Sequence, residues 1–274
     1  MQRAACLIGI ADGQIRGVWH GASWSGGRSA ETVAAFNTSG NAPTLGDALD
    51  SVLSAIAPER RLTSPFVCVT LEGSHIMAAI LSFPKLPTAQ RDRRLVVSQR
   101  FCREHRLDPA KVEVIAAPIN RSTNERRRIL CLAMERDTLN QISSALKKRG
   151  LHADVITPDS FLKFERVSSH ALEKPGIALF EEHGFRTILV WDEEGAIAHI
   201  MTVRRPFRHD LEGQRRMATR IRRYARIVAS HDAPVAVYID GLAGAIAPDL
   251  AYSSGLKILN WPGASTDFRR SAAE

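Results

Sequence analysis

The hydrophobic positions of the first eighty residues change period twice. Cys6–Ala11 is a short apolar run, Asp12-Gly13 is a turn dipeptide, and Gln14–His20 returns with alternating polarity, which predicts a β-hairpin. From Leu45 to Ala57 the period lengthens, and Leu45, Leu49, Val52, Leu53 and Ile56 fall on one face of a helix. Phe66–Leu71 is then almost continuously apolar, the pattern of a buried strand, and Glu72-Gly73 closes it.

The same order returns in the second half. Ile177–Phe180, Arg186–Trp191 and Ala196–Val203 predict an antiparallel meander, with turns at Glu182-His183-Gly184 and Asp192–Gly195. A helix over Asp210–Ser230 carries Met217, Ile221, Tyr224 and Val228 at helical spacing, and Val235–Ile239 is again a buried strand ending in Asp240-Gly241. Val67–Gly73 and Val235–Gly241 share the pattern V-x-V-x-[LI]-[ED]-G. Between the halves lies a separate module. Ser82–Pro87 breaks a strand and leads into a helix at Ala89–Arg106. Strands Val112–Ala117 and Ile129–Met134 follow, then a helix at Asp137–Arg149 stopped by Gly150. Strand His152–Ile156 and a helix at Phe161–Val167 complete the stretch.

Two lobes built as hairpin or meander, helix and buried strand resemble the ribonuclease-H-like fold, of which actin is the doubled form. The expected class is therefore α/β: an actin-like, duplicated ribonuclease-H-like fold of two lobes with an α+β insert. Residues 1–83 would form the first lobe, 84–159 the insert and 160–274 the second lobe. Four stretches resemble the actin-like proteins of type IV pilus assembly, the PilM family, and the cytoplasmic domain of the type II secretion L protein. These are Phe83–Pro87 before a charged helix, Arg128–Met134 before a helix and Lys148–Leu151, Ala153–Pro158 before a helix with Phe161, and the meander Ile177–Arg205. The resemblance implies a cytoplasmic, non-enzymatic scaffold at the inner face of the inner membrane. Its partner would be a membrane-anchored assembly protein, held by a short cytoplasmic tail, so membrane association would be indirect. The secretion L protein continues into a transmembrane helix. This chain ends without one, which favours the pilus-type reading or an excised cytoplasmic domain; a homo-oligomer is left open.

The resemblance also supplies a nucleotide test. Actin-like ATPases grip phosphates with hairpin turns of the form Asp-x-Gly-Ser/Thr, whose small residues let backbone N–H groups approach. Here the first turn is Asp12-Gly13, without small hydroxyl residues, and the second places Glu181 and Glu182 before His183-Gly184. Two adjacent carboxylates facing a triphosphate repel it unless a metal intervenes. The adenosine-side turn keeps Asp240-Gly241 but has Leu242 where the family usually has a second glycine. Asp12, Gly13, Glu182, Gly184, Asp240 and Gly241 are therefore read as vestigial nucleotide turns. No cofactor is expected, Mg-ATP is disfavoured, and an ATP-binding protein or ATPase is the alternative.

Composition narrows the remaining classes. Among 274 residues, 37 Lys and Arg face 29 Asp and Glu, a net charge of +8, which permits nucleic acid, anionic lipid or an acidic protein surface as a partner without choosing among them. Cys6, Cys68, Cys102 and Cys131 are far apart and in apolar settings, which predicts buried thiols in a reducing compartment. The nine histidines show no H-x-x-H or H-E-x-x-H spacing, so no metal site is expected, and no catalytic set emerges. The apolar N-terminal run is too short for a signal peptide, and no segment is long enough to cross a bilayer. Two arginine groups are candidate partner surfaces: Arg91, Arg94 and Arg128 in the insert, and Arg216, Arg220 and Arg223 on one face of the later helix. The plain alternative is a solvated outer face. Nucleic-acid binding through that helix is the less favoured reading, because interleaved aromatics and known recognition motifs are missing.

Overall fold

A computed structural model of the chain describes residues 4–11, 13–20, 29–36, 43–56, 64–73, 75–119, 127–167, 172–182, 185–204, 210–229, 234–240 and 255–262. The chain forms two units interleaved in sequence. One comprises Met1–Met77, Pro87–Ala116 and Leu132–Asp159; the other comprises Ala78–Leu86, Ala117–Cys131 and Ser160–Glu274. The stretch 84–159, read from sequence as an insert, contributes to both.

In the first unit, β1 (Ala5–Ala11), β2 (Gln14–His20) and β3 (Ser29–Ala35) form an antiparallel meander. Helix α1 (Leu45–Ile56) crosses to β4 (Phe66–Leu71), which lies parallel to β1, and β8 (Val155–Pro158) lies parallel to β4. The strand order is β3-β2-β1-β4-β8. Alternation along β4 turns Val67, Val69 and Leu71 to one face, where they bury with Ile8, Ile10 and Ile15 and with Leu49, Val52, Leu53 and Ile56 of α1. Each such side chain contributes roughly 1.5–3 kcal/mol of burial free energy. Gly17 permits the close approach of α1, because a Cβ there would lie 2.7 Å from Ile56 Cδ1. Helix α3 (Arg136–Lys148) adds Ile142, Ala145 and Leu146 to the same core. It ends where Gly150 turns left-handed at φ +63°, while the Leu151 N–H donates to Leu146 O at 2.9 Å.

The second unit repeats this arrangement. Strands β9 (Gly176–Glu182), β10 (Phe185–Trp191) and β11 (Ile197–Arg204) form the meander, and α5 (Leu211–Val228) crosses to β12 (Val235–Asp240), parallel to β9. Strand β13 (Leu256–Asn260) lies parallel to β12. Read in chain order within each half, both sheets run third, second, first, fourth, fifth: β3-β2-β1-β4-β8 and β11-β10-β9-β12-β13. The second sheet extends past β11 through β5 (Ile76–Phe83), β7 (Arg127–Glu135) and β6 (Val112–Pro118). Met217, Ala218, Ile221, Ala225 and Val228 of α5 pack on Ile177, Leu179, Ile188, Val190, Val235 and Val237. On the other face, Phe164 of α4 (Asp159–Arg166) joins Phe180, Trp191, Tyr238 and Trp261 in an aromatic cluster. The remaining helix, α2 (Gln90–His105), ends at Arg106 in the left-handed region.

Three details differ from the sequence pattern. The strand expected at His152–Ile156 starts at Val155. Asp154 occupies the preceding position, donating its N–H to Val67 O at 2.9 Å and accepting the Val67 N–H on its carboxylate at 2.8 Å. Because β8 is an edge strand, Pro158 can end it without breaking a ladder bond. Strands β3 and β13 carry no strong apolar alternation and were not expected; pairing with β2 and β12 sets their conformation. All four cysteines are buried, and no helix among the described residues is long and apolar enough to cross a membrane.

Candidate functional site

Both hairpin turns are tight. Ala11 pairs with Gln14, leaving a two-residue turn in which Gly13 has φ +76° and its carbonyl accepts the Phe36 N–H at 2.9 Å. Only glycine adopts that conformation at no steric cost. Asp12 lies outside the described residues. In the second half, Glu182 pairs with Phe185 and closes the β9–β10 hairpin; the side chain of Glu182, His183 and Gly184 lie outside the described residues.

The carboxylate of Glu181, before that turn, lies in the core. Alternation along the strand puts Glu181 on the face of Ile177 and Leu179. It pairs in register with Arg186, whose Nε and Nη2 both donate to Glu181 Oε1. Arg186 is 1% exposed and Glu181 8%. This places an ion pair in the core beneath the hairpin.

Asp240 ends β12 on the aromatic side of the sheet. Its Oδ2 accepts from Lys163 Nζ of α4 at 2.9 Å, so an intramolecular cation already neutralises it. Gly241 lies outside the described residues. Among the described residues, no group of three or more His, Cys, Asp or Glu converges as metal ligands would.

The two arginine groups are partly brought together. Arg91 and Arg94 are exposed on α2 in the first unit, and Arg216 and Arg223 are exposed on α5, with Arg216 paired to Glu212 at 2.6 Å. Arg128 and Arg220, taken from different groups, both act on His199 of β11 in the second unit. Arg128 Nη2 donates to Ile197 O at 3.2 Å and also to Ala198 O, one residue before His199. Burial lowers the Arg128 pKa, and Asp192 opposes the shift. Arg220 Nη1 contacts Met201 Sδ at 3.4 Å, and Tyr224, one turn further along α5, stacks on the His199 ring at 4.3 Å. Burial, together with the Arg128 and Arg220 charges, pushes the His199 pKa down to about 4, so the ring is neutral at pH 7. Burial raises the Tyr224 pKa, against Arg220 and Arg223. No sequence motif marked His199. The available signals were the i, i+4 spacing of Arg220 and Tyr224 and the strand pairing of His199 with buried Val190.

No family model matches the chain, and no curated protein matches it in sequence. Similar solved structures do exist. A chain of the PilM–PilN type IV pilus biogenesis complex superposes with a TM-score of 0.57 at 14% identity, over 93% of this chain and 88% of that one. A Bacteroides thetaiotaomicron protein of actin-like ATPase fold and unknown function superposes with a TM-score of 0.62 at 10% identity, over 94% and 90%. The cytoplasmic domain of EpsL, an inner-membrane component of the type II secretion system of Vibrio cholerae, reaches a TM-score of only 0.46 at 14% identity over 90% and 94%, too low to weigh. Together with the repeated strand order, the first two likenesses define the fold. The chain is an α/β protein of the actin-like class, a doubled ribonuclease-H-like fold.

Proposed function

We propose that the chain is a non-enzymatic cytoplasmic scaffold in a type IV pilus or secretion assembly at the inner membrane, binding the short cytoplasmic tail of a membrane-anchored partner. The observation that carries this reading is the buried Glu181–Arg186 pair under the second hairpin. A carboxylate clamped by a guanidinium in the core is poorly placed to organise Mg²⁺ or water, and the pair is costly to break from either side. Asp240, neutralised by Lys163, is likewise engaged. A fold kept with such turns serves through its surfaces. The assembly follows by analogy with the PilM–PilN complex, whose likeness extends over nearly the whole chain.

The test pairs two measurements on the purified chain. Mg-ATP at a hundred times a working Kd would stabilise a nucleotide-binding protein by about 2.7 kcal/mol, or about 5 °C in Tm at this length. The expected result is no rise with Mg-ATP and saturable binding of the cytoplasmic tail peptide of a membrane-anchored protein encoded beside this one. A rise of that size with Mg-ATP, with no tail binding, would establish the ATP-binding alternative instead.

A further inference from the structure

His199 sits where three elements converge. Tyr224 stacks on its ring from α5, Arg220 lies one turn earlier over Met201 on the same face of β11, and Arg128 arrives from β7 at the carbonyls of Ile197 and Ala198. His199 Nε2 is buried and has no hydrogen-bond partner among the described residues. The contact recorded for Arg220 is to a thioether sulfur, a weak acceptor for a guanidinium. The nearby acid, Asp192, accepts the Glu194 and Ala196 N–H groups on Oδ1 at 3.1 and 2.9 Å. Two guanidiniums and a buried imidazole nitrogen therefore share a half-buried corner whose strongest missing component is an anion.

The geometry points to a phosphate-group site formed by Arg128, His199 and Arg220, distinct from the hairpin turns. Guanidinium forks match phosphate oxygens, and charge-assisted bonds to phosphate are stronger than one to sulfur. Arg220 is the exposed member, and its guanidinium can exchange the Met201 sulfur for a phosphate oxygen. Binding is coupled to a proton. The groups facing His199 are Arg128 from β7, with Asp192 beside it, and Arg220, Tyr224 and the neighbouring Arg223 from α5. Burial and the two arginine charges hold the proton off the ring, and a phosphate anion between the arginines offsets their part, so phosphate binds with proton uptake.

The test follows the imidazole resonances of the full chain by ¹H–¹⁵N NMR at pH 6 while inorganic phosphate is added at constant ionic strength. The expected result is a saturable shift of His199, a rise in its pKa, and roughly tenfold weaker binding in Arg220→Gln, as for the loss of one charged hydrogen-bonding partner. Arg220 is exposed, so this variant folds, which its circular dichroism checks. A second arm sediments the chain with phosphatidylcholine vesicles with and without phosphatidic acid, whose headgroup carries the same phosphate group. Retention that needs phosphatidic acid and is lost in both Arg220→Gln and His199→Phe assigns the ligand to a lipid. A response to inorganic phosphate alone assigns it to a free phosphate. If His199 does not respond to inorganic phosphate and phosphatidic acid adds no retention, or if either response is unchanged by Arg220→Gln, the site does not exist.

Discussion

Removing one partner of the Glu181–Arg186 pair tests whether the second hairpin is held from within. Glu181→Leu takes the carboxylate from a guanidinium that is 1% exposed, and a guanidinium cannot shed its charge. The cost expected for breaking a buried pair is about 3–5 kcal/mol. Arg186→Met instead takes the cation from a carboxylate that is 8% exposed, and its cost should be similar. The double variant Glu181→Leu/Arg186→Met extends the apolar stripe of Ile177, Leu179, Ile188 and Val190 and should fall within about 1 kcal/mol of the parent. The assay is urea unfolding followed by circular dichroism at pH 7 for the four proteins. Single-variant losses below about 1 kcal/mol, or a double variant as unstable as the sum of the singles, would refute the reasoning. Either result would also remove the main support for reading the hairpin as structural.

Other outcomes follow from single contacts. The folded-state pKa of His199, about 4, lies below its ordinary 6.5, so the unfolded chain binds the proton first and the stability due to the neutral ring is lost as pH falls from 6.5 towards 4. Between pH 7 and pH 5 that loss is about 2 kcal/mol; His199→Phe should flatten the pH dependence of the urea midpoint by this amount, and an unchanged slope would contradict the shift. Gly176→Ala would put a Cβ 2.5 Å from Trp191 Cε2, in a ring backed by Phe164 and Tyr238, and should cost about 1–3 kcal/mol or more, read as a lower Tm. Asp210 caps α5 by accepting the Gly213 N–H at 2.7 Å, so Asp210→Ala should lose about 1 kcal/mol in chemical unfolding while Asp210→Ser loses less.

The duplication was legible because a parallel strand buried on both faces reads as a nearly continuous apolar run, and Val67–Leu71 and Val235–Ile239 both show it. Strand β3 was not legible. Ser29–Ala35 offers only Thr32 and Val33 as strong strand formers, and β2 supplies the partner that orders it. Its counterpart β11 was read correctly, so completing the repeat would have found β3. The candidate site was less legible than the fold. Nothing in the spacing reveals that Glu181 pairs with Arg186 across the hairpin in the core. Nor does spacing reveal that Lys163, 77 residues away, occupies Asp240, or that arginines from two regions meet at one histidine.

The interleaving of the two units also sets a schedule for synthesis. The chain passes between them five times, after residues 77, 86, 116, 131 and 159. Strand β4 is complete at Leu71, yet the strand that covers its outer edge begins at Val155. At the usual pace of translation those residues take roughly 4–17 seconds to emerge. For that interval the nascent first sheet carries an open parallel edge flanked by Val67, Val69 and Leu71, a template for any extended chain nearby. A ribosome-associated chaperone that holds this edge would act on the segment between Phe66 and Ile156, and no single truncation point separates the two units.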